Sequence, residues 1–124
     1  MTNSTNKFAA SARAKTEGSL IMMGRDKLKT DDAIRRYPDG LTLTSFEIIN
    51  GKKGPYPVFT IAEDPTVFLA GGKVLNDIVN GWLEMYQGDL GGCQKDFAQS
   101  GGIRVKLTSA TSKNGDDYTA VEVL

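Results

Sequence analysis

The spacing of apolar residues along this chain changes twice, and this change most limits the folds open to it. From Leu41 to Leu69, apolar side chains alternate with polar ones in short runs, which is typical of strands with one buried face. From Leu75 to Tyr86 they recur every three or four residues, which predicts an amphipathic helix of roughly 14 residues. Alternation returns from Ile103 onward. The pattern therefore predicts strands, then a helix, then further strands.

Turn sequences divide the alternating segments into five strands. Residues 50–55 and 112–116 are rich in Asn, Gly and Lys and favour hairpin turns. A one-residue slip in the alternation near Ser45 predicts a β-bulge. Residues 63–65 end the second predicted strand. Residues 87–102, which follow the predicted helix, are expected to be a glycine-rich connection.

Residues 1–36 are predicted to form an N-terminal extension that is basic and partly disordered. They carry eight Lys or Arg against four Asp or Glu, whereas the whole chain has 15 of each and a net charge of zero. The small polar residues 1–6 are typical of a disordered terminus. Residues 19–23, between two glycines, favour a short strand. Residues 30–36 favour a turn of helix whose first amides are capped by a Thr or Asp oxygen.

The residue types present exclude several kinds of site. Cys93 is the single cysteine and there is no histidine, so an internal disulfide and a His/Cys zinc site are both excluded. The commonest general base near neutral pH is also missing. No apolar run approaches the ~18 residues that cross a membrane, and the first residues lack the apolar region of a signal peptide. We therefore predict a cytoplasmic protein that is not an enzyme, with no cofactor, no metal, no membrane contact and no small-molecule substrate.

Three strands, a helix and a two-stranded hairpin follow the order of an OB-fold. The sequence thus predicts a mainly β chain, a five-stranded OB-type barrel over residues 37–124 with one helix between strands three and four. The segments GKKGPYPVFTIAEDPTVFLAGGKVLNDIVNGW and GGIRVKLTSATSKNGDDYTAVEVL resemble those of small single-stranded DNA-binding proteins of tailed bacteriophages, over about residues 38–124. The resemblance implies sequence-independent binding of single-stranded DNA in phage or prophage DNA replication or recombination.

The candidate DNA-binding residues are basic and aromatic. An OB barrel stacks bases on aromatic side chains of strands two and three, while basic loops hold the phosphates. Alternation places Tyr56 and Val58 on one face and Phe59 and Ile61 on the other, so the aromatic side chains of these strands cannot all be exposed. The candidates are Lys52, Lys53, Tyr56, Phe59, Phe68, Arg104, Lys106, Tyr118, Arg35 and Arg36.

Each candidate also has a purely structural interpretation. Phe59 and Phe68 fit core packing as well as base stacking. Residues 52–53 fit a turn that keeps a sheet edge soluble, and residues 35–36 fit a helix end whose cations suit the helix dipole. Residues 71–73, Gly-Gly-Lys, lack the spacing and the following Ser or Thr of a phosphate-binding loop and are set aside.

Two other functions stay open. A protein-interaction or structural β-barrel module without nucleic-acid binding fits the zero net charge and the isoelectric point of about 6.2. A metal-dependent nuclease would need clustered carboxylates. The available pairs, Glu63-Asp64 and Asp116-Asp117, both lie at predicted turns, where acids commonly face water. A homo-oligomer is left open as well.

Overall fold

A computed structural model describes residues 19–124, and this part of the chain contains six strands and three helices. In chain order they are β1 (Asp26–Leu28), α1 (Thr30–Arg36), β2 (Leu41–Gly51), β3 (Gly54–Ile61), β4 (Asp64–Ala70), α2 (Lys73–Met85), α3 (Leu90–Gln99), β5 (Ile103–Thr111) and β6 (Asp117–Val123).

The six strands form one sheet in the order β1-β4-β3-β2-β5-β6, curled into a half barrel. Strands β2, β3 and β4 are antiparallel neighbours, and β5 pairs with the first residues of β2. The predicted mainly β architecture is confirmed. The sheet has six strands where five were predicted, because three residues from the N-terminal third form β1 and add in parallel to the edge of β4. Local sequence pattern does not reveal so short a pairing.

The predicted slip in β2 is a real irregularity of the ladder. The register of β2 against β3 shifts between Leu43 and Ser45, as the alternation predicts. Leu41, Leu43 and Phe46 all point to the helix-facing side of the sheet despite the uneven spacing. The extra residue therefore keeps the buried face continuous while the strand bends.

Both faces of the sheet carry a buried cluster. The larger cluster lies between the helix-facing side and the helices, and it includes Phe46, Phe59 and Val79. The smaller cluster lies on the opposite side, around Val58 and Phe68. β1 belongs to the same sheet as the later strands. Both β1 and α1 pack in the same core, since Leu28 and Ala33 are members of the larger cluster.

Helix α2 confirms the predicted amphipathic helix, with Leu75 and Val79 buried. The prediction that residues 87–102 form a glycine-rich connection is wrong, because they contain α3. The Asp89 side chain accepts a hydrogen bond from the Gly92 amide at 3.0 Å and caps this helix. Cys93 is buried, and Phe97 packs against Trp82 with ring centroids 4.8 Å apart. Packing therefore stabilises a helix that its glycines weaken. Of the helices in residues 19–124, none is long and apolar enough to cross a membrane.

Residues 19–24 form a turn that covers the second face of the sheet, so the predicted short strand at 19–23 is wrong. The Glu47 carboxylate accepts hydrogen bonds from the Ser19 hydroxyl at 2.5 Å and from the amides of Leu20 and Ile21, each at 3.1 Å. Ile21 is thereby held in the smaller cluster, to which Phe68 also belongs. Residues 1–6, predicted to be disordered, lie outside the described residues.

We expect Glu47→Ala to lower the free energy of unfolding by about 1–3 kcal/mol, because three donors lose a charged acceptor. Urea unfolding followed by circular dichroism measures the change. Glu84→Ala removes an exposed carboxylate from α2 and serves as the control, expected within about 0.5 kcal/mol of wild type. Equal stability of the two variants would show that the Glu47 contacts do not hold residues 19–24 in place.

Candidate functional site

One hollow on the surface collects lysines from two separate loops. It has a volume of about 650 Å³ and lies between the β2–β3 turn and the loop that joins β4 to α2. We call it the lysine groove, and its lining residues are Gly51, Lys52, Lys53, Gly54, Pro55, Tyr56, Gly71, Gly72, Lys73 and Asn76. Three of the predicted site residues, Lys52, Lys53 and Tyr56, therefore meet at one place.

The β2–β3 hairpin positions the first part of the groove. Gly51 pairs with Gly54, which leaves Lys52 and Lys53 exposed as the two residues of the turn. Tyr56 lies two residues into β3 and is half-buried. Its ring lies against the Gly51 backbone, because a Cβ built on that glycine would come within 2.8 Å of the ring. The turn thus places two cations beside an aromatic side chain.

The β4–α2 loop supplies the third cation, which sequence reasoning missed. The Gly71 amide donates to the Pro57 carbonyl oxygen at 2.8 Å, and this bond holds the loop against β3. Lys73 then begins α2 with its side chain 86% exposed. Residues 71–73 lack the spacing of a phosphate-binding loop, so the sequence does not mark Lys73 as a candidate. A simpler feature of the sequence points to Lys73. It is a lysine at the start of the predicted helix, and that helix follows a strand next to the basic hairpin.

The charges around the groove are segregated. Of its described lining residues, three are lysines and none is acidic, although the chain as a whole has equal numbers of acids and bases. The nearest opposing charge in the described structure is Asp77, whose carboxylate accepts from the Lys73 ammonium at 3.1 Å. That ion pair is exposed at both ends, and such pairs are weak, at roughly 0.2–1 kcal/mol. The groove is therefore a locally cationic surface.

No protein-family model, curated protein or solved structure matches this chain.

A second hollow adjoins the lysine groove and contains another predicted site residue. It has a volume of about 330 Å³ and lies between the end of β4 and the β5–β6 hairpin. We call it the seam pocket, and the seam is the gap between the end of β4 and the β5–β6 hairpin. Gly72 and Lys73 line both hollows, and Tyr118, a residue that is 46% exposed, lines the seam pocket. The structure thus joins Tyr118 to the lysine groove through Lys73.

The two candidate phenylalanines are in the core, which corrects the expectation that they stack on bases. Phe59 is fully buried in the larger cluster and Phe68 is 2% exposed in the smaller one. The physical reason is that both faces of the sheet are covered, one by helices and the other by residues 19–24. Neither ring has a surface open to a base in this structure.

Arg104 and Lys106 lie away from the groove. Arg104 is paired with Thr42 at the start of β2, whereas the groove is at Gly51, nine residues along the same strand. At about 3.3 Å per residue, the separation along an extended strand is roughly 30 Å. The Arg104 guanidinium donates to the Asp39 carbonyl oxygen at 3.0 Å, and Lys106 stands opposite Glu122. These two cations do not extend the groove.

Arg35 and Arg36 also form a separate group, among acids. Arg35 pairs with Asp32 one turn earlier in α1. Arg36 lines a polar hollow with Asp26 and Asp64. The Thr66 hydroxyl and then its amide donate to Asp64 and lower the pKa of that carboxyl, and the Arg36 charge lowers the pKa further. Both arginines thus have acidic neighbours that the groove lysines largely lack.

The single cysteine is buried, and two of the carboxylates considered for a metal site accept hydrogen bonds within the fold. Burial raises the pKa of the Cys93 thiol, and the charges of Asp96 and Asp89 raise it further, so the thiolate is disfavoured. The Glu63 carboxylate accepts from the Thr42 amide at 2.8 Å, and Asp117 accepts from the Thr111 hydroxyl at 3.0 Å. Within residues 19–124, no group of three or more acids or cysteines is placed to hold a metal ion.

Proposed function

We propose that this chain binds single-stranded DNA without sequence preference, with the lysine groove as the contact for the sugar–phosphate backbone. The observation that carries the proposal is the convergence of Lys52, Lys53 and Lys73 on one hollow with no acidic lining residue. Two separate loops must come together to produce it, and the chain has no net charge that would produce it by default.

The chemistry of the groove suits a single strand. Proteins of this class combine a positively charged groove along the backbone with aromatic side chains on which bases stack. Tyr56 lines the groove beside Lys52 and Lys53, and Tyr118 lines the adjoining seam pocket. An unpaired strand exposes both its phosphates and the faces of its bases, whereas a duplex hides the base faces. A surface with cations and aromatic rings side by side therefore favours the single strand.

We also propose that the barrel is of OB type. The meander β2–β3–β4, the helix α2 and the hairpin β5–β6 follow the order expected for that fold. OB-folds bind ligands with the loop between their first two strands, among other elements. In this chain that loop is the β2–β3 turn, which carries Lys52 and Lys53. We further propose that the activity serves phage or prophage DNA replication or recombination, as the resemblance of the sequence to phage proteins implies.

The test is a titration of a labelled strand of ~30 nucleotides, followed by fluorescence anisotropy at about 50 and 200 mM salt. We expect wild-type protein to bind the strand more tightly than a duplex of the same sequence. We expect the triple variant Lys52→Ala, Lys53→Ala, Lys73→Ala to weaken binding at least about tenfold at the lower salt. The slope of log K against log salt should fall by about 2, since each phosphate contact on a single strand contributes about 0.7.

The matched control is the triple variant Lys27→Ala, Lys95→Ala, Lys113→Ala. It makes the same change in net charge with three exposed lysines that do not line the groove. We expect its affinity to stay within about threefold of wild type, which separates groove contacts from long-range attraction. Equal weakening by the two triple variants would refute the groove assignment. Flat titrations of wild type at low salt would refute DNA binding and favour the protein-interaction module.

A further inference from the structure

The volume and the lining residues of the seam pocket are those of a ligand-binding site rather than of a packing defect. Its volume of about 330 Å³ lies at the lower end of the range for pockets that hold small organic molecules, about 300–1,000 Å³. Its apolar walls come from both sides of the seam, and they include Leu69, Leu75, Leu107 and Val121. A few polar residues join them, among them Thr119 and Lys73, and the aromatic Tyr118 also lines the pocket. This mixture is typical of a site that takes a largely apolar group and orients it by a few polar contacts.

The charge of the pocket selects the kind of ligand. Lys73 is the one charged residue among its described lining residues, and none of them is acidic. Lys73 also lines the lysine groove, so an anionic group on this lysine lies at the boundary of both hollows. The ligand class that this arrangement fits is a planar ring joined to a phosphate. We propose that the seam pocket takes one base of the bound strand, with the adjoining phosphate on Lys73.

The boundary between the hollows leaves room for the strand to pass. Gly72 lies there, is exposed, and has no heavy atom within 4 Å of the position that a Cβ would occupy. The exposed ion pair between Lys73 and Asp77 is weak enough for a phosphate to replace the carboxylate. Tyr118 lies on the edge strand β6, where an exposed aromatic residue offers a surface for a base to stack on. The strand would therefore cross Gly72 from the lysine groove and turn one base inward.

This inference rests on the proposed function, and a small probe separates the two. Thymidine 5′-monophosphate, thymidine and inorganic phosphate are titrated into ¹⁵N-labelled wild-type protein. We expect the nucleotide to shift the amide resonances of Gly72, Tyr118 and Thr119 in a saturable manner. Thymidine alone should bind more weakly because it lacks the phosphate, and inorganic phosphate alone should leave the Thr119 resonance unchanged. Equal shifts from nucleotide and phosphate would overturn the inference, because the base would then contribute nothing.

Two variants test the pocket itself. We expect Tyr118→Ala to weaken nucleotide binding at least about fivefold through loss of stacking. Thr119→Trp should abolish it by filling the pocket, with a thermal melt to check that the variant folds. Tyr118→Phe, which keeps the ring, should bind within twofold of wild type and is the matched control.

The outcomes distinguish the inference from the proposed function. The double variant Lys52→Ala, Lys53→Ala should lose strand affinity but retain nucleotide binding within twofold. If wild type binds the strand and the nucleotide produces no shift, the inference fails and the proposed function stands. If neither ligand binds, both fail. If Tyr118→Ala and Thr119→Trp both fold and bind the nucleotide as tightly as wild type, the base lies elsewhere and the inference is overturned.

Discussion

Gly102→Ala is expected to lower the free energy of unfolding by at least about 4 kcal/mol, more than most point substitutions in a domain. Gly102 precedes β5 with a φ of +84°, a conformation that residues with a Cβ adopt only at a cost. A Cβ at this position would overlap the Leu43 carbonyl oxygen and come within 3.0 Å of the Thr44 Cα. Both neighbours are backbone atoms of β2, so the junction of β2 and β5 has to move apart.

Gly101→Ala is the matched control for that prediction. Gly101 has almost the same φ, +86°, but a Cβ there would meet no heavy atom within 4 Å. We expect a loss of about 1–2 kcal/mol, which is the conformational cost alone. Urea unfolding measures the free energy of unfolding of both variants. The difference between them is the energetic cost of the close approach of β2 and the residue before β5. If Gly102→Ala is no less stable than Gly101→Ala, β5 does not pack against Leu43 as described.

Phe59→Ala is expected to destabilise the protein by about 3–5 kcal/mol, the usual cost of deleting a large ring from a packed core. Phe59 is fully buried, lies opposite Phe46 in the β2–β3 ladder, and its ring centroid is 6.4 Å from that of Phe46. The loop before α2 also packs on it, because a Cβ on Gly71 would lie 3.3 Å from the ring. Thermal or urea unfolding measures the loss.

A second variant at this position separates a core role from a binding role. Phe59→Leu keeps most of the apolar volume, so the protein should remain folded, but it removes any aromatic stacking. We expect its affinity for single-stranded DNA to equal that of wild type within twofold. Loss of a stacked base would instead reduce affinity by roughly 5- to 150-fold, since stacking contributes about 1–3 kcal/mol. Such a loss in folded Phe59→Leu would restore the prediction that this ring contacts DNA.

The proposed interface depends on position more than on the number of charges. Lys52, Lys53 and Lys73 have no acid beside them among the lining residues of the groove, whereas Arg35 and Arg36 lie among aspartates. A phosphate approaching the groove therefore meets Lys52, Lys53 and the weakly paired Lys73, whose exposed partner is Asp77, at close range, where attraction is strongest. Beyond a Debye length, which is about 8 Å at physiological salt, salt largely screens the charges, and the zero net charge leaves no long-range attraction. Binding should consequently be local and strongly dependent on salt.

The parts of the fold that were predictable from sequence are those that local patterns encode. Alternation predicts β2 to β4, the slip near Ser45 predicts the bulge, and the period of the apolar residues predicts α2. Alternation also places Tyr56 and Phe59 on opposite faces, as observed. Each of these features depends on side chains within a few residues of one another, because strand and helix periods are properties of the local backbone.

Other features depend on residues far apart in the chain. Helix α3 contains two adjacent glycines, and it forms because Leu90, Cys93 and Phe97 have a core to pack against. Residues 19–24 form a turn rather than a strand because Glu47, more than 20 residues later, accepts their hydrogen bonds. The same turn buries Phe68, which alternation alone leaves on an open face.

The candidate site also combines features that local sequence encodes with features that distant residues decide. The basic hairpin and the neighbouring tyrosine are visible in the sequence, because a turn exposes its central residues wherever it occurs. Lys73 joins them only because β3 and β4 pair and bring the β4–α2 loop beside the β2–β3 turn. Arg104 is excluded because β5 pairs with the opposite end of β2. Residue types and periods were thus determined by the sequence alone, whereas the grouping of cations was decided by strand register, since register sets which distant residues become neighbours.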